Sequence, residues 1–98
     1  MSKFDVFIDE YPGSAGWQKF VDVFRPEWNA LTDKEKELYR SILGDEGIAI
    51  VLTSKMGDRA IDWFVSPLGV LHQRTASEII KTERQGLTII KSVLMRMH

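Results

Sequence analysis

The chain has 98 residues, no cysteine and a formal net charge of -1, with 44% hydrophobic and 28% charged residues. This length fits one small domain and excludes a multidomain enzyme, and the composition excludes a disordered or collagen-like chain. The lack of cysteine excludes disulfides, thiolate nucleophiles and cysteine-ligated zinc. The longest apolar run, residues 48–52, is too short to cross a bilayer, so we expect a cytoplasmic protein.

The charge is divided unevenly between the two halves of the chain. Residues 1–49 carry six basic and ten acidic side chains, a net charge of -4, whereas residues 50–98 carry seven and four, a net charge of +3. DNA-binding domains normally have a concentrated basic stripe and a high pI, but the pI here is ≈ 6.1. DNA is therefore not the partner that we expect.

The first thirty residues are predicted to form an arm followed by a helix. Residues 4–11 are apolar and β-prone and stop at Pro12-Gly13, which predicts an extended arm. Ser14 is expected to cap the helix, and Pro26 is expected to end it. Its apolar residues fall at i, i+3, i+4 and i+7, and they are Trp17, Phe20, Val21 and Phe24.

The next segment carries the clearest helix signal in the N-terminal half. Thr32 and Glu35 have the spacing of a capping box, and Gly44 is placed to close the helix. Its predicted buried face consists of Leu38, Tyr39, Ile42 and Leu43. Residues 46–53 are apolar all round, so periodicity does not separate a buried helix from a buried strand, although Asp45 as a possible N-cap favours a helix.

Three shorter segments follow in the C-terminal half. A segment around Trp63, with Ala60, Ile61, Phe64 and Val65, stops at Ser66-Pro67, and Trp63 is predicted to anchor the core. Thr75 with Glu78 predicts a second capping box, and Thr82 with Gln85 has the same spacing before a last helix over about 83–97.

The last helix is predicted to be amphipathic. Its apolar side carries Leu87, Ile89, Ile90, Val93, Leu94 and Met97, and its polar side carries Thr88, Lys91, Ser92 and Arg96. Only Met95 breaks this pattern. We therefore predict an all-α, single-domain bundle of about five to six short helices with an extended N-terminal arm, in which segments 1–44 and 45–98 share one core.

Few residues have a spacing that supports catalysis or metal binding. His72 lies in a predicted loop and His98 is the last residue, so no pair of histidines has the spacing of metal ligands. Asp58 and Asp62 share a helix face but are more typical of a helix start than of a cation site. We expect no enzyme activity, no metal and no cofactor. The aromatic stripe is interpreted as core, with a ligand pocket near Trp17 and Trp28 as the alternative.

A resemblance to a known family begins at residue 60. The residues that carry it are Ala-Ile-Asp-Trp-Phe-Val-Ser-Pro at 60–67, then Leu71, then Arg-Thr-Ala-Ser-Glu-Ile-Ile-Lys-Thr-Glu-Arg-Gln-Gly at 74–86. Over about residues 45–98 the chain resembles the C-terminal toxin-binding domain of type II antitoxins of the Xre/MbcA/ParS family. Thr75-Ala76 replaces a Ser-Pro pair that is frequent in the family. Gly86 falls at a family glycine, where the missing side chain would allow another backbone to approach closely.

The resemblance implies a protein-interaction module that binds and sterically inhibits a cognate toxin, of the RES type that degrades NAD. It also implies a possible homodimer, and neither a membrane nor a small-molecule substrate is expected as a partner. The N-terminal half lacks a helix-turn-helix pattern, so DNA binding is not carried over. The predicted interface residues are Arg74, Lys81, Arg84, Met95, Arg96 and His98. The alternative is a small DNA-binding transcriptional regulator whose C-terminal half contacts phosphates.

Overall fold

The computed structural model describes residues 4–97, which form seven α-helices and one very short β-hairpin. The helices are α1 (Asp5–Glu10), α2 (Ser14–Asn29), α3 (Asp33–Leu43), α4 (Glu46–Met56), α5 (Ala60–Val65), α6 (Ala76–Thr82) and α7 (Gly86–Arg96). Two single turns of 3-10 helix lie at Gly57–Arg59 and Gly69–Leu71. Strand β1 (Pro67–Leu68) pairs antiparallel with β2 (Arg74–Thr75), with Pro67 opposite Thr75. The all-α prediction is confirmed.

Several predicted helix ends are confirmed by their hydrogen bonds. The Glu35 amide donates to the Thr32 hydroxyl at 3.1 Å, and the Thr32 amide donates to the Glu35 carboxylate at 3.1 Å, which completes the capping box. Gly44 has the left-handed φ of 76° that suits a helix C-terminus. Asp45 accepts from the Ile48 amide at 3.0 Å, so residues 46–53 belong to a helix and not to a strand.

The N-terminal segment is a helix, so the prediction of an extended arm is wrong. Phe4 and Phe7 are both buried, and α1 packs chiefly against α7. A helix of six residues has little stability of its own. The segment is helical because this turn brings two phenylalanines three residues apart onto one surface, which an extended chain does not do.

The boundaries of α2 also differ from the prediction. Gly13, with φ 91°, occupies the N-cap, and Ser14 is the first helical residue and makes no side-chain cap. Pro26 lies inside the helix, which continues for three more residues. Proline has no backbone amide to donate within a helix, so one helical hydrogen bond is lost at Pro26. The burial of Trp28 in the last turn offsets this loss.

The core is built around α4, whose residues Ile48–Leu52 are all fully buried. Helices α2, α3, α5 and α7 all contact α4. This central position explains why residues 46–53 have no polar face. One buried cluster combines side chains from residues 1–44 with others from residues 45–98, as in a shared core.

Helix α3 is covered on one side only, and its predicted buried face is partly wrong. Leu43 is buried and Tyr39 is half-buried, but the exposed fraction is 52% for Leu38 and 39% for Ile42. The covered stripe runs through Lys36, Tyr39 and Leu43, because α4 and α5 contact that side of α3.

Helices α6 and α7 approach each other very closely at Gly86. A Cβ atom added there would lie 2.3 Å from the Ile79 carbonyl oxygen and 2.6 Å from the Ile80 Cα. The other backbone that Gly86 accommodates is therefore that of α6 in the same chain. Thr82 does not cap α7 as predicted, because its hydroxyl donates to the Glu78 carbonyl at 2.8 Å.

Helix α7 is buried over more of its circumference than the sequence pattern predicts. Ser92 was expected on the polar side but is buried, and Met95 is half-buried against the core. Both lie on the side that α1 covers, since the Ser92 hydroxyl donates to the Phe7 carbonyl. Leu87, predicted to face inward, is instead exposed.

Candidate functional site

An apolar groove lies at the C-terminal end of α7, where four parts of the chain meet. Its volume is about 360 Å³, and we call it the C-terminal groove. It is lined by Phe7 from α1, Trp63 from α5, Leu68 and Val70 from the hairpin, and Val93, Arg96 and Met97 from the end of α7. Such a surface suits an apolar side chain of a ligand or partner.

The C-terminal groove is open to solvent, and two of its lining residues are partly or largely exposed. Trp63 is half-buried, so it contacts the core with one part of its ring system and lines the groove with another. The side chain of Val70 is 50% exposed in the 3-10 turn of the hairpin. The prediction of Trp63 as a core anchor therefore describes only part of its environment.

The end of the groove is fixed by contacts with the body of the domain. The Lys55 ammonium donates to the Met97 carbonyl at 3.0 Å, which ties the end of α7 to the end of α4. The Ser66 hydroxyl donates to the Asp62 carbonyl at 2.5 Å, where α5 stops before the hairpin. The walls are thus held by hydrogen bonds as well as by packing.

Two further cavities adjoin the C-terminal groove. One, of about 370 Å³, shares Trp63 and Leu68 with it and extends to Met56 and Arg59. The other, of about 210 Å³, shares Arg96 and is also lined by Met95, which has a thioether able to adapt to a partner. The concave surface therefore continues on both sides of the groove.

Three predicted interface residues lie outside α7, and of these Arg74 pairs in the hairpin with Leu68 of the C-terminal groove, whereas Lys81 and Arg84 lie toward the start of α7. Arg74 is in β2, Lys81 in α6 and Arg84 in the turn before α7. Since α7 has 11 residues, its two ends are about 16 Å apart. The structure therefore does not bring the predicted residues together in one patch.

Arg74 is held by its own chain. Its guanidinium is 2.8 Å from the Glu83 carboxylate and 3.4 Å from that of Glu78, and it donates to the Thr82 hydroxyl. The hydrogen bond that the Arg74 guanidinium donates to the Glu83 carboxylate is the main cause of a raised Arg74 pKa. Glu78 thus faces Arg74, while the Thr75 hydroxyl accepts from the Glu78 amide at 3.0 Å and caps α6. This cluster fastens the hairpin to the turn before α7.

Lys81 and Arg84 have fewer interactions. Both are exposed, and neither forms an ion pair with any residue in the range 4–97. They remain predicted partner-binding residues, on a surface separate from the C-terminal groove.

The remaining predicted residues lie at or near the groove. Arg96 lines it, with its guanidinium 5.1 Å from the centre of the Phe7 ring and its Nε 3.5 Å from the Glu10 carboxylate. Met95 lies in the adjoining cavity. His98 lies outside the described residues.

A larger depression, of about 540 Å³, lies along the outer face of α3 and is a weaker candidate. All of its lining residues belong to α3 or to its cap, among them Lys34, Leu38 and Ser41. No second element forms an opposing wall, so this depression is the surface of a single helix.

The predicted alternative of a ligand pocket near Trp17 and Trp28 is met only in part, by a cavity of about 310 Å³ that Trp17 lines together with Asp45 and Lys91 and that Trp28 does not line. Trp17 is buried, and the rings of Phe20 and Phe24 meet edge to face along α2 with centroids 5.2 Å apart. The Lys55 ammonium covers both phenylalanine rings, at 5.8 and 5.4 Å. These contacts confirm that the stripe belongs to the core and its edge.

Two further properties of the described residues bear on the kind of site. Within residues 4–97, no group of three or more histidine or acidic side chains is placed to hold a metal ion. No helix in that range is long and apolar enough to span a membrane.

The sequence analysis missed most of the C-terminal groove. Met95 and Arg96 are predicted interface residues, but no sequence prediction includes Leu68 or Val70, and Phe7 falls in the predicted extended arm. A signal for Val70 exists, since it is an apolar residue between glycine and leucine in a predicted loop. Comparison with known proteins finds no match to this chain among family models, curated proteins or solved structures.

Proposed function

We propose that this protein is a protein-interaction module of the antitoxin type, which binds a cognate toxin through the C-terminal groove and inhibits it sterically. The observation that carries the proposal is the convergence of Trp63, Val70 and Met97 on one open apolar surface. Aromatic residues and methionine are enriched in protein interfaces, and an exposed valine beside them has no evident role in the core.

The choice of a toxin as the partner rests on the resemblance over residues 45–98. The segment that resembles antitoxins includes α5, the hairpin, α6 and α7, and these elements supply six of the seven residues that line the groove. The resemblance indicates a RES-type toxin that degrades NAD. An apolar side chain of the toxin held in the groove would keep this domain bound against the toxin surface, where it would block access sterically.

The test is co-expression of the tagged chain with a RES-type toxin encoded beside it, with co-purification and cellular NAD as readouts. The native chain is expected to capture the toxin and to preserve NAD. Val70→Asp places a charge in the groove and is expected to abolish both effects while the far-UV circular dichroism stays helical. Val23→Asp is the matched control, because Val23 is 71% exposed on α2, away from the groove lining.

The exposed surface of Lys81 and Arg84 provides the result that would contradict the proposal. Arg84→Glu reverses a charge at the other end of α7: an interface at the groove predicts intact toxin capture, whereas the interface predicted from the sequence, which includes Arg84, predicts its loss. If Arg84→Glu abolishes capture and Val70→Asp does not, the interface lies at the basic end of α7 and the assignment of the groove is wrong.

DNA binding is the alternative proposal, and Lys81 and Arg84 are the exposed cations that would contact phosphates. It predicts an affinity for duplex DNA that falls steeply with salt and is lowered by Arg84→Glu. An absence of binding at low salt would remove this alternative.

A further inference from the structure

Helix α1 is attached to the rest of the domain by tertiary contacts and not by its own stability. It has six residues, has no side-chain cap at its start, and is joined to α2 through the non-helical residues 11–13. Within that joint, Gly13 has a φ of 91°, which favours glycine and lets the chain change direction. We call residues 4–10 the strap.

The strap is recognised on α7 and beside it by two arginines. The Arg74 guanidinium lies 5.9 Å from the centre of the Phe4 ring, and that of Arg96 lies 5.1 Å from the Phe7 ring. The same Arg96 reaches the Glu10 carboxylate at 3.5 Å. Arg96 on α7 therefore contacts one aromatic ring and a carboxylate three residues further on, while Arg74 contacts the preceding ring from the hairpin.

A third contact recognises the backbone of the strap. The Ser92 hydroxyl is buried and donates to the Phe7 carbonyl. That carbonyl is near the end of α1, and the amide four residues on, at Tyr11, donates to the Ile8 carbonyl instead at 3.3 Å. Ser92 thus satisfies a carbonyl that a helix end leaves without a partner, whatever side chain is attached to it.

The strap also forms part of the candidate site. Phe7 is one wall of the C-terminal groove, and Glu10 lines the adjoining cavity with Arg96. The strap is acidic, with Asp5, Asp9 and Glu10 among its residues, whereas residues 50–98 carry a net charge of +3. Displacement of the strap would join groove and cavity into one longer binding face along α7.

We propose that α1 is a displaceable strap, and that the partner of this protein binds α7 in its place with an acidic helix that carries two aromatic residues three apart. The inference rests on the proposed role as a protein-interaction module but not on the partner being a toxin. The occupied site in the free protein defines the partner chemistry, because the strap already contacts Ser92 and Arg96 on α7 and Arg74 in the hairpin.

The test uses a fluorescent peptide with the sequence of residues 4–12 and measures its anisotropy with full-length protein. The native chain is expected to bind weakly, since its own strap competes. Phe7→Ala in the protein weakens the strap and leaves α7 intact, so the affinity for the peptide is expected to rise about tenfold. Arg96→Glu in the Phe7→Ala background changes the receptor face and is expected to remove that gain.

A milder variant covers the case in which Phe7→Ala does not fold. Glu10→Arg changes only an exposed side chain of the strap, and we expect it to raise peptide affinity about threefold. A peptide carrying alanine at the position of Phe7 is the control and is expected not to bind. If folded strap variants bind the native peptide no better than the native chain does, α1 is a fixed part of the fold and the proposal is wrong.

The two proposals fail separately. A chain that captures a toxin but binds no peptide in its strap variants contradicts the strap alone. Strap variants that bind the peptide, in a chain that captures no toxin, contradict the antitoxin proposal alone.

Discussion

Replacing Gly86 with alanine tests how closely α6 and α7 pack. The added Cβ would lie 2.3, 2.6 and 3.0 Å from three atoms of the α6 backbone, at Ile79 and Ile80. None of these atoms belongs to a flexible side chain, so the two helices must separate. Overpacking of this kind costs about 1–3 kcal/mol, and contact with backbone on α6 places the cost near the upper value.

A smaller favourable term opposes this cost. Alanine is better than glycine in a helix by about 1 kcal/mol, and less at a first helical residue such as Gly86. The net expected loss is about 2 kcal/mol in the free energy of unfolding. For a domain of this size that corresponds to a fall of about 10 °C in Tm.

The assay is urea and thermal unfolding followed by far-UV circular dichroism. Gly69→Ala is the matched control, because the nearest atom to an added Cβ is the Gln73 side-chain nitrogen at 3.7 Å, an ordinary contact. It should change stability by less than about 0.5 kcal/mol. A Gly86→Ala variant as stable as the native chain would refute the close packing of α6 on α7. It would also reopen the possibility that Gly86 packs against a second copy of the chain in a homodimer. In the structure, the backbone that approaches Gly86 is that of α6 in the same chain.

Two further predictions concern helix ends and the core, both measured by urea unfolding. Thr32→Ala removes the capping box of α3 and should lower the free energy of unfolding by about 1 kcal/mol. Ser14→Ala changes a residue that makes no side-chain cap and should lower it by less than about 0.5 kcal/mol. Equal losses in the two variants would contradict the assigned caps. Leu52→Ala opens a cavity beside fully buried neighbours in α4 and should lower the free energy of unfolding by about 2–5 kcal/mol. Val23→Ala, on the surface, is the control and should lower it by less than about 0.5 kcal/mol. A small loss for Leu52→Ala would place α4 outside the core.

Local signals predicted the parts of the fold that local interactions determine. Thr32 with Glu35, Gly44 and Asp45 act within one turn of chain, so their types and spacing were sufficient to place the ends of α3 and the start of α4. The absence of a polar face in residues 46–53 is also explained, since a helix surrounded by four others has no side for water.

The errors occur where a distant element decides the outcome. Asp5–Glu10 is helical because α7, about eighty residues later in the chain, offers a surface for Phe7. The same contact buries Ser92 on the side of α7 that its polarity predicted to be exposed. Pro26 remains within α2 because Trp28 is buried beyond it. No window of local sequence contains these contacts.

The candidate site was predictable only in part, for the same reason. Arg96 was selected from the last helix, but its relation to Val70 and Phe7 depends on how the hairpin and α1 are placed against α7. Arg74 was selected for its charge, and the sequence did not reveal that Glu78 and Glu83 would surround it.

The contact between α1 and α7 joins residues 85 positions apart, from Phe7 to Ser92. During synthesis on the ribosome, α1 is made early and the surface that receives it is made late. Phe7 therefore lacks its contacts with α7 until α7 has been translated, and we expect α1 to be among the last of the described helices to fold. A chain that stops before α7 would leave Phe7 without these contacts, and we expect chaperones and proteases to recognise such an incomplete product by its exposed aromatic ring.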